Sequence, residues 1–425
     1  MPSPTDDALA RTVATTALPA AAPARAERAH LRPRGSSQGG LRQYNERVVL
    51  QAVRLHGALP GAEIARLTGL TAQTVSMITK SLIDDGYLRK GAPVRGKVGQ
   101  PSVPLSLAPD GAYAIGIKVG RRRLDTLLID FSGQPCARWS LAYRFPDPEE
   151  VLAELRLRFT AIRRKLGPQG RLRLQGVGLA APLALGSWQS LLGVTPAVAE
   201  RWNRLDLREA VAAMCDWPVH AMKDTAAACV AELVAGRGRG MHSFLYIFVD
   251  TFIGGGLVID SHLRNGLTGN AGAIGSMPLG LPDARGAAPQ LLSVASLHTL
   301  EQAWRDAGLD DPGFEGPQAL QAPWHDVTRT WLERAGAAIA HAINGATCLL
   351  DLDGVILDGA IDRPLLAELI AATEAAMRRS NWEGVAAPQL LAGTVGADAG
   401  ALGGALLPLH ANFAPDRDLF IKEHV

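Results

Sequence analysis

The chain has 425 residues, of which 47% are hydrophobic and 20% charged, and its formal net charge is +2. This length suffices for a small domain together with a larger domain of two lobes. No apolar run approaches the length of a membrane-crossing helix, so the sequence predicts a soluble protein located in the cytoplasm.

Two further features bear on the cellular compartment. Residues 1–40 are rich in Ala, Pro, Arg and Ser, and Asp6, Asp7 and Glu27 interrupt them. This composition is typical of a disordered tail and not of a secretory signal. The four cysteines are widely dispersed and form no CxxC motif. We therefore expect neither disulfide bonds nor a cysteine-based zinc site.

Residues 61–88, GAEIARLTGLTAQTVSMITKSLIDDGYL, carry a helix-turn-helix pattern. Such a motif needs a small residue where its helices cross, a tight turn, and apolar residues at fixed offsets. These positions are filled by Ile64, Ala65, Gly69, Leu70, Val75 and Ile78. A helical hairpin inside an ordinary core is the competing interpretation.

The second helix of this motif is predicted to begin after Thr71, which is placed to cap it. The first turns of such helices meet base edges in DNA, and Lys80, a turn later, is placed to contact phosphate. The candidate DNA-binding residues of the motif are Thr71, Gln73, Thr74, Ser76 and Lys80.

The neighbouring segments favour a DNA-binding domain over a helical hairpin. Residues 41–57 have an amphipathic pattern that supplies a third helix. Residues 87–107 predict two short strands around a Gly-rich loop, where Arg95 and Lys97 are further candidates for DNA contact. Residues 31–100 hold 11 Lys or Arg against 4 Asp or Glu, a net charge of +7. We therefore predict a winged helix-turn-helix domain at residues 41–110 that binds double-stranded DNA.

Beyond residue 109 the pattern changes to strands that alternate with Ala-rich and Leu-rich helices. This alternation indicates an α/β domain at residues 111–425. Residues 114–119 and 124–130 predict a β-hairpin, and residues 326–350 predict a long helix before a short strand at residues 354–357.

Five motifs follow the hairpin in the order GLAAP, KDTAAA, TFIGGGLV, NAGAIGSMPLG and VILDGA. This order resembles the ROK family, which groups sugar-responsive repressors with sugar kinases. The resemblance covers nearly all of residues 41–425, and the repressor branch of the family also carries an N-terminal winged helix-turn-helix. It implies an actin-like ATPase fold, in which two α/β lobes enclose a ligand cleft.

The metal-binding hairpin of the family's kinases is altered in this chain. Kinase members carry a D-x-G-x-T pattern there, which serves metal and phosphate. Here Lys118 stands at the Asp position, and Arg121 or Arg122 lies near the Thr position. A cation at this place opposes Mg²⁺, on which phosphoryl transfer from ATP depends. We therefore expect no bound cofactor and no kinase activity.

Two phosphate-binding elements are altered as well. Where kinase members carry GTGxGGG, this chain has DTFIGGG, with Asp250 and Phe252 at the first and third positions. Asp358-Gly359 stands where a Gly-Gly pair is expected. The remaining glycines, residues 254–256, are explained by a tight turn between strands without any ligand.

The sugar-binding positions are altered less completely. Sugar-binding members carry Asn-Asp where this chain has Lys223-Asp224, and the resemblance places Asp224 at the catalytic base. Asp224 is equally predicted to cap the following helix. Ala273 replaces a sugar-binding Glu and Ser276 a zinc-binding His, so no metal site is expected. Asn270, which is equally a turn residue, completes the candidate effector-binding set of Lys223, Asp224, Asn270 and Ser276.

These observations favour a transcriptional regulator, most simply a repressor of sugar-related genes, that dimerises or tetramerises and binds a sugar or sugar derivative as effector. One alternative is a sugar kinase with an added DNA-binding domain. The other is a DNA-binding scaffold whose body has lost ligand binding altogether.

Overall fold

The computed structural model describes residues 38–93, 102–186, 193–282, 286 and 288–415. The predicted tail up to residue 37 lies outside the described residues, and so do Arg95 and Lys97. Residues 44–425 are assigned to a single compact unit. No helix in the described part of the chain is long and apolar enough to cross a bilayer.

Three helices and three short strands form the N-terminal part of the fold. The helices are α1 (Gln38–His56), α2 (Gly61–Thr68) and α3 (Ala72–Asp84). The strands β1 (Leu59–Pro60), β2 (Leu88–Lys90) and β3 (Pro104–Leu107) pair antiparallel in the order β1-β3-β2. Gly69 ends α2 with φ of 68°, a left-handed conformation that glycine adopts without strain. The predicted helix-turn-helix is therefore present.

Two five-stranded sheets of the same topology follow, and each begins with an antiparallel meander and continues with two parallel strands. The first sheet has the order β6-β5-β4-β7-β8 and contains β4 (Tyr113–Val119), β5 (Arg123–Asp130), β6 (Pro135–Ala142), β7 (Leu174–Ala181) and β8 (Val219–Lys223). The second has the order β11-β10-β9-β12-β13 and contains β9 (Phe244–Val249), β10 (Gly254–Ile259), β11 (His262–Arg264), β12 (Gly354–Gly359) and β13 (Gln389–Ala392).

Helices connect the strands and cover the sheets. They are α4 (Pro148–Leu172), α5 (Pro196–Arg204), α6 (Leu207–Ala212), α7 (Asp224–Ala235), α8 (Leu292–Ala295), α9 (Leu297–Asp306), α10 (His325–Leu350), α11 (Arg363–Met377) and α12 (Ala399–Phe413). In each lobe a long helix, α4 or α10, makes the crossover from the meander to the first parallel strand. The predicted α/β body of two lobes is confirmed.

The backbone of the last helix, α12, packs directly against the backbone of the first lobe, with almost no side chains between them. A Cβ atom on Gly178 of β7 would lie 1.8 Å from the carbonyl oxygen of Gly404, and one on Gly116 of β4 would lie 1.9 Å from that of Ala401. A Cβ on Gly403 would lie 1.7 Å from the Ala227 carbonyl of α7. Because backbone atoms set these distances, side-chain movement cannot relieve them.

We expect Gly178→Ala to lower the free energy of unfolding by at least about 2 kcal/mol, because the added methyl group must displace α12 from the sheet. The measurement is urea unfolding of the full chain. Gly280→Ala is the matched control, since a Cβ there meets no atom within 4 Å. Equal unfolding midpoints for the two variants would contradict the close approach.

Candidate nucleic-acid interface and interlobe cleft

One side of helix α3 is buried in the core, and the other side is exposed to solvent. Val75, Ile78 and Leu82 are buried and anchor the helix in the apolar core. Its N-cap is Thr71, whose hydroxyl accepts a hydrogen bond from the Thr74 amide at 3.2 Å. The start of the second helix therefore lies where the sequence predicted it.

The free side of α3 carries the residues predicted to contact DNA. Gln73, Ser76 and Lys80 are exposed along one face of the helix. Thr74 is half-buried, and its hydroxyl lies 2.8 Å from that of Thr71, so it serves the cap. Met77 is 62% exposed on the same face. Met77 was not among the residues predicted to contact DNA, although its spacing of four residues from Gln73 places it on the same helix face.

The helix-turn-helix shares one apolar core with the first lobe of the body. The Arg54 guanidinium of α1 lies 4.9 Å from the centre of the Phe131 ring and donates to the Phe131 carbonyl at 3.0 Å. Burial lowers the pKa of Arg54 to about 10. The rings of Tyr87, Phe131 and Phe413 contact one another with centroids 4.7 to 5.7 Å apart. Since Phe413 ends α12, the last helix of the body touches the DNA-binding region directly.

An ion pair joins the two lobes in the cleft, where the Lys118 side chain is 5% exposed and that of Asp250 is 23% exposed. Lys118 of β4 donates to the Asp250 carboxylate, which follows β9, at 2.5 Å. Burial alone lowers the pKa of Lys118, but the carboxylate of Asp250 outweighs it and the pKa lies above the ordinary value. Burial likewise raises the pKa of Asp250, but Lys118 outweighs it and the pKa lies below the ordinary value. Both groups are charged at neutral pH.

Residues 120–123, the turn after β4 together with the first residue of β5, carry three arginines into the same cleft, and we call this segment the cationic turn. Arg122 bridges to Glu301 of α9 at 2.8 Å. Arg123 bridges to Glu315 at 2.9 Å. The Arg121 guanidinium lies 4.9 Å from the centre of the Phe252 ring. Cations of the first lobe thus face carboxylates and an aromatic ring of the second.

Asp358, which stands where the family's kinases carry a glycine, is fully buried at the end of β12. Its carboxylate accepts a hydrogen bond from the Gly396 amide at 2.7 Å and lies 3.2 Å from Arg363. Burial raises the pKa of this carboxyl group. A Cβ on Gly393 would lie 2.4 Å from the Asp358 side chain. The side chain therefore fills the space beside that glycine.

The three glycines of DTFIGGG begin strand β10, whereas the sequence placed them in the turn before it. They allow close packing: Cβ atoms on Gly254, Gly255 and Gly256 would lie 2.4 to 2.8 Å from Thr225, Tyr246 and Cys229 respectively. Packing against β9 and α7 therefore accounts for these glycines, in place of the turn that the sequence predicted.

The four candidate effector residues are brought together only in part. Lys223 donates to the Asn270 side chain at 2.7 Å, which joins the lobes at a second place. Asp224 is the first residue of α7, so the prediction that it is the N-cap was wrong: Lys223 occupies that position. The Asp224 carboxylate accepts from the Thr225 amide at 2.8 Å. Ser276 is exposed in a 3-10 helix, Ile274–Ser276.

The cysteines and histidines form no metal centre in the described ranges, where no group of three His, Cys, Asp or Glu side chains is placed to hold an ion. All four cysteines are free thiols.

The body matches a known family. A family model described as ROK family matches residues 114–411. An uncharacterized protein, y4fQ, of Sinorhizobium fredii (strain NBRC 101917 / NGR234) is 27% identical over 371 residues, which are 87% of this chain and 91% of that protein. A xylose repressor of Caldicellulosiruptor bescii is 26% identical over 245 residues. That alignment covers 57% of this chain and 60% of the repressor.

A solved structure has the same fold. It is a ROK family transcriptional regulator, a homolog of the Escherichia coli MLC protein, with a TM-score of 0.61 and 19% identity. The superposition covers 88% of this chain and 97% of the other. The predicted order of a helix-turn-helix followed by a sugar-kinase-like body is confirmed by this likeness.

We expect Lys118→Met to lower the free energy of unfolding by about 3 kcal/mol, because it leaves the Asp250 carboxylate unpaired in the cleft. The double variant Lys118→Met/Asp250→Leu should be more stable than this single variant. Because the pKa of Asp250 is lowered in the folded protein, its charged form contributes to the free energy of unfolding at neutral pH. That contribution is lost as the pH falls through the pKa of the folded state. A double-mutant cycle in urea measures the coupling, and additive losses would show that the pair contributes nothing.

Proposed function

We propose that this chain, which belongs to the ROK family, is a DNA-binding transcriptional regulator whose kinase-like body is not an enzyme. The protein then acts by occupying a double-stranded DNA operator, and in the simplest case it represses sugar-related genes. The similarity to xylose repressors supports this proposal. The observation that carries it is the free polar face of α3, presented by a helix whose other side is fixed in the core.

Charge supports DNA as the partner. The excess of 11 basic over 4 acidic residues in residues 31–100 coincides with the helix-turn-helix, and a local cationic excess attracts phosphate. Residues 101–425 carry a net charge of −5. We assign residues 41–110 to DNA binding, and residues 111–425 to effector binding and to assembly as a homo-oligomer. Two copies then present two recognition helices to the half-sites of a pseudo-palindromic operator.

Helix α12 provides the connection between effector and DNA. At its start, Arg138 bridges to Asp398 at 2.8 Å, and Arg123 of the cationic turn donates to the Ala397 carbonyl at 3.2 Å. At its end, Phe413 contacts Tyr87, which lies between α3 and β2. A ligand that favours one position of the lobes therefore also favours one position of the recognition helix.

The residues in the cleft support the proposal that the protein does not catalyse phosphoryl transfer. In phosphoryl transfer, Mg²⁺ neutralises charge that develops on the phosphates. Here the Lys118–Asp250 pair occupies the place that the family resemblance gives to metal and phosphate. Phe252 supports one wall of the cleft and Asp358 fills the space beside Gly393. An enzyme with this arrangement would first have to break a buried ion pair to admit Mg²⁺.

We expect the purified full chain to transfer no phosphate from ATP to hexoses, pentoses or N-acetylhexosamines, since the metal position is held by an ion pair. Coupled detection of ADP release measures this. Turnover that is abolished by Asp224→Asn would overturn the proposal in favour of a sugar kinase with an added DNA-binding domain.

Two substitutions on α3 separate base contacts from phosphate contacts. DNA fragments selected by the full chain from a random library serve as ligands. Gln73→Ala should reduce the preference for selected over unselected DNA by about 1–3 kcal/mol, because a lost base contact relaxes specificity. Lys80→Ala should weaken binding to both and reduce the slope of log affinity against log salt by about 1.

Lys165→Ala is the matched control, because Lys165 is exposed on α4 and its loss changes the net charge equally. If Lys80→Ala and Lys165→Ala have the same effect on DNA affinity, α3 does not face the phosphate backbone. If no DNA is selected at all, the proposed function fails.

A further inference from the structure

A cavity of about 320 Å³ opens between the lobes beside the cationic turn. Residues 120–123 and Tyr143 form its wall on the first lobe, and Thr251, Leu297 and Phe314 lie on the opposite wall. This volume is at the lower end of the range found for small-molecule sites. None of the four candidate effector residues predicted from the sequence lines it.

Most of the charges around the cavity neutralise one another. Its lining includes four cations, and three of them have carboxylate partners. These pairs are Lys118 with Asp250, Arg122 with Glu301, and Arg123 with Glu315 and Asp125. Asp311, also in the lining, is exposed and accepts the Gly313 amide.

Arg121 is the exception among these cations. No carboxylate or other hydrogen-bond acceptor contacts its guanidinium within the described ranges, and its Nε atom is buried without a partner. Burial lowers the pKa of Arg121, and Asp224 and Asp250 act on it only through space. The residue as a whole is half-buried, and a buried N–H donor without an acceptor costs free energy. The stacking on Phe252 covers the face of the guanidinium but offers no acceptor to the buried Nε–H group.

A second polar group without a partner lies against the same aromatic ring. His298 of α9 contacts Phe252 edge to face, with centroids 5.9 Å apart, and its buried Nδ1 atom has no hydrogen-bond partner among the described residues. Burial lowers the pKa of His298, and Arg122 lowers it further, so the ring is neutral. A neutral imidazole offers one N–H donor and one acceptor. The Arg121 and His298 groups thus flank Phe252 with unused hydrogen-bonding capacity.

We propose that this cavity binds a small molecule with a single carboxylate or phosphate group, and that Arg121 is the residue that holds that group. A planar guanidinium binds either anion through two parallel hydrogen bonds, which supplies the acceptors that the protein lacks here. The inference rests on the proposed function in that this ligand is taken to be the effector of the regulator.

The charge balance also limits the kind of anion. The lining holds four cations and four carboxylates, and Arg121 is its one cation without a carboxylate partner among the described residues, so it offers a place for one anionic group. Glu301, Asp311 and Glu315 in the lining would repel a longer polyanion. A sugar acid or a sugar monophosphate meets these conditions, and a nucleoside triphosphate does not.

The test compares three matched forms of each sugar on the full chain: the neutral sugar, its monophosphate and its sugar acid. Glucose, glucose 6-phosphate and gluconate form one set, the corresponding xylose compounds a second, and ATP and inorganic phosphate are added singly. We expect at least one anionic form to raise the melting temperature and to bind in calorimetry at least about tenfold more tightly than its neutral form. Comparing the affinity of each monophosphate with that of its sugar acid shows which anion is preferred.

Arg121→Gln should weaken binding of that anionic form by about 10- to 100-fold. Arg121→Lys, which keeps the charge but loses the two parallel hydrogen bonds, should weaken it less. Arg156→Gln is the control, because Arg156 is exposed on α4 and should leave binding unchanged. Equal binding of neutral and anionic forms, binding that Arg121→Gln leaves unchanged, or no stabilisation by any anionic form each overturns the proposal.

DNA binding by the unliganded chain is measured separately with the selected fragments. If DNA binds and no anionic form does, this inference fails and the proposed function stands. If an anionic form binds through Arg121 and no DNA is bound, anion binding by the cavity stands and the proposed function fails.

Discussion

The structure depends on the contact between the backbone of the last helix and the backbones of β4, β7 and α7. At Gly178 and Gly403, a Cβ atom would lie less than 2 Å from a carbonyl oxygen of the facing element. Such a contact leaves no side-chain layer to deform, so the helix moves only together with the elements that it touches. The start of this helix meets Arg123 and Arg138 near the cleft, and its end meets the DNA-binding region. One rigid element therefore spans both candidate sites.

Electrostatic neutralisation within the protein is the second organising feature. In kinases of this fold, metal ions neutralise the charge of the nucleotide. In this chain, Lys118 and Asp250 neutralise each other across the cleft, and Asp358 is held by the Gly396 amide and Arg363. A buried ion pair contributes little net stability, because desolvation offsets its attraction. Such a pair does fix which groups of the two lobes meet.

The sequence predicted the helix-turn-helix well because its determinants are local. The turn needs a glycine at residue 69, and a capping hydroxyl at residue 71 lies three residues from the amide that it accepts. The assignment of Lys118 to the position where kinases of the family bind metal remains a prediction from the resemblance. The partner of Lys118 was not predicted, because Asp250 lies 132 residues away and each charge was weighed separately. Asp224 was misplaced by one residue, which is the usual uncertainty of helix boundaries.

The sequence alone determined the order of the domains, the alternation of strands and helices, the family, and the loss of the kinase's charged pattern, since each follows from residue types at short spacings. Only the tertiary structure decided which charges are paired. It shows that Lys118, Arg122 and Arg123 have carboxylate partners in the second lobe, whereas Arg121 has no carboxylate partner among the described residues and contacts the Phe252 ring. The physical reason is that pairing depends on distances between side chains from distant elements, which the packing of the two lobes sets.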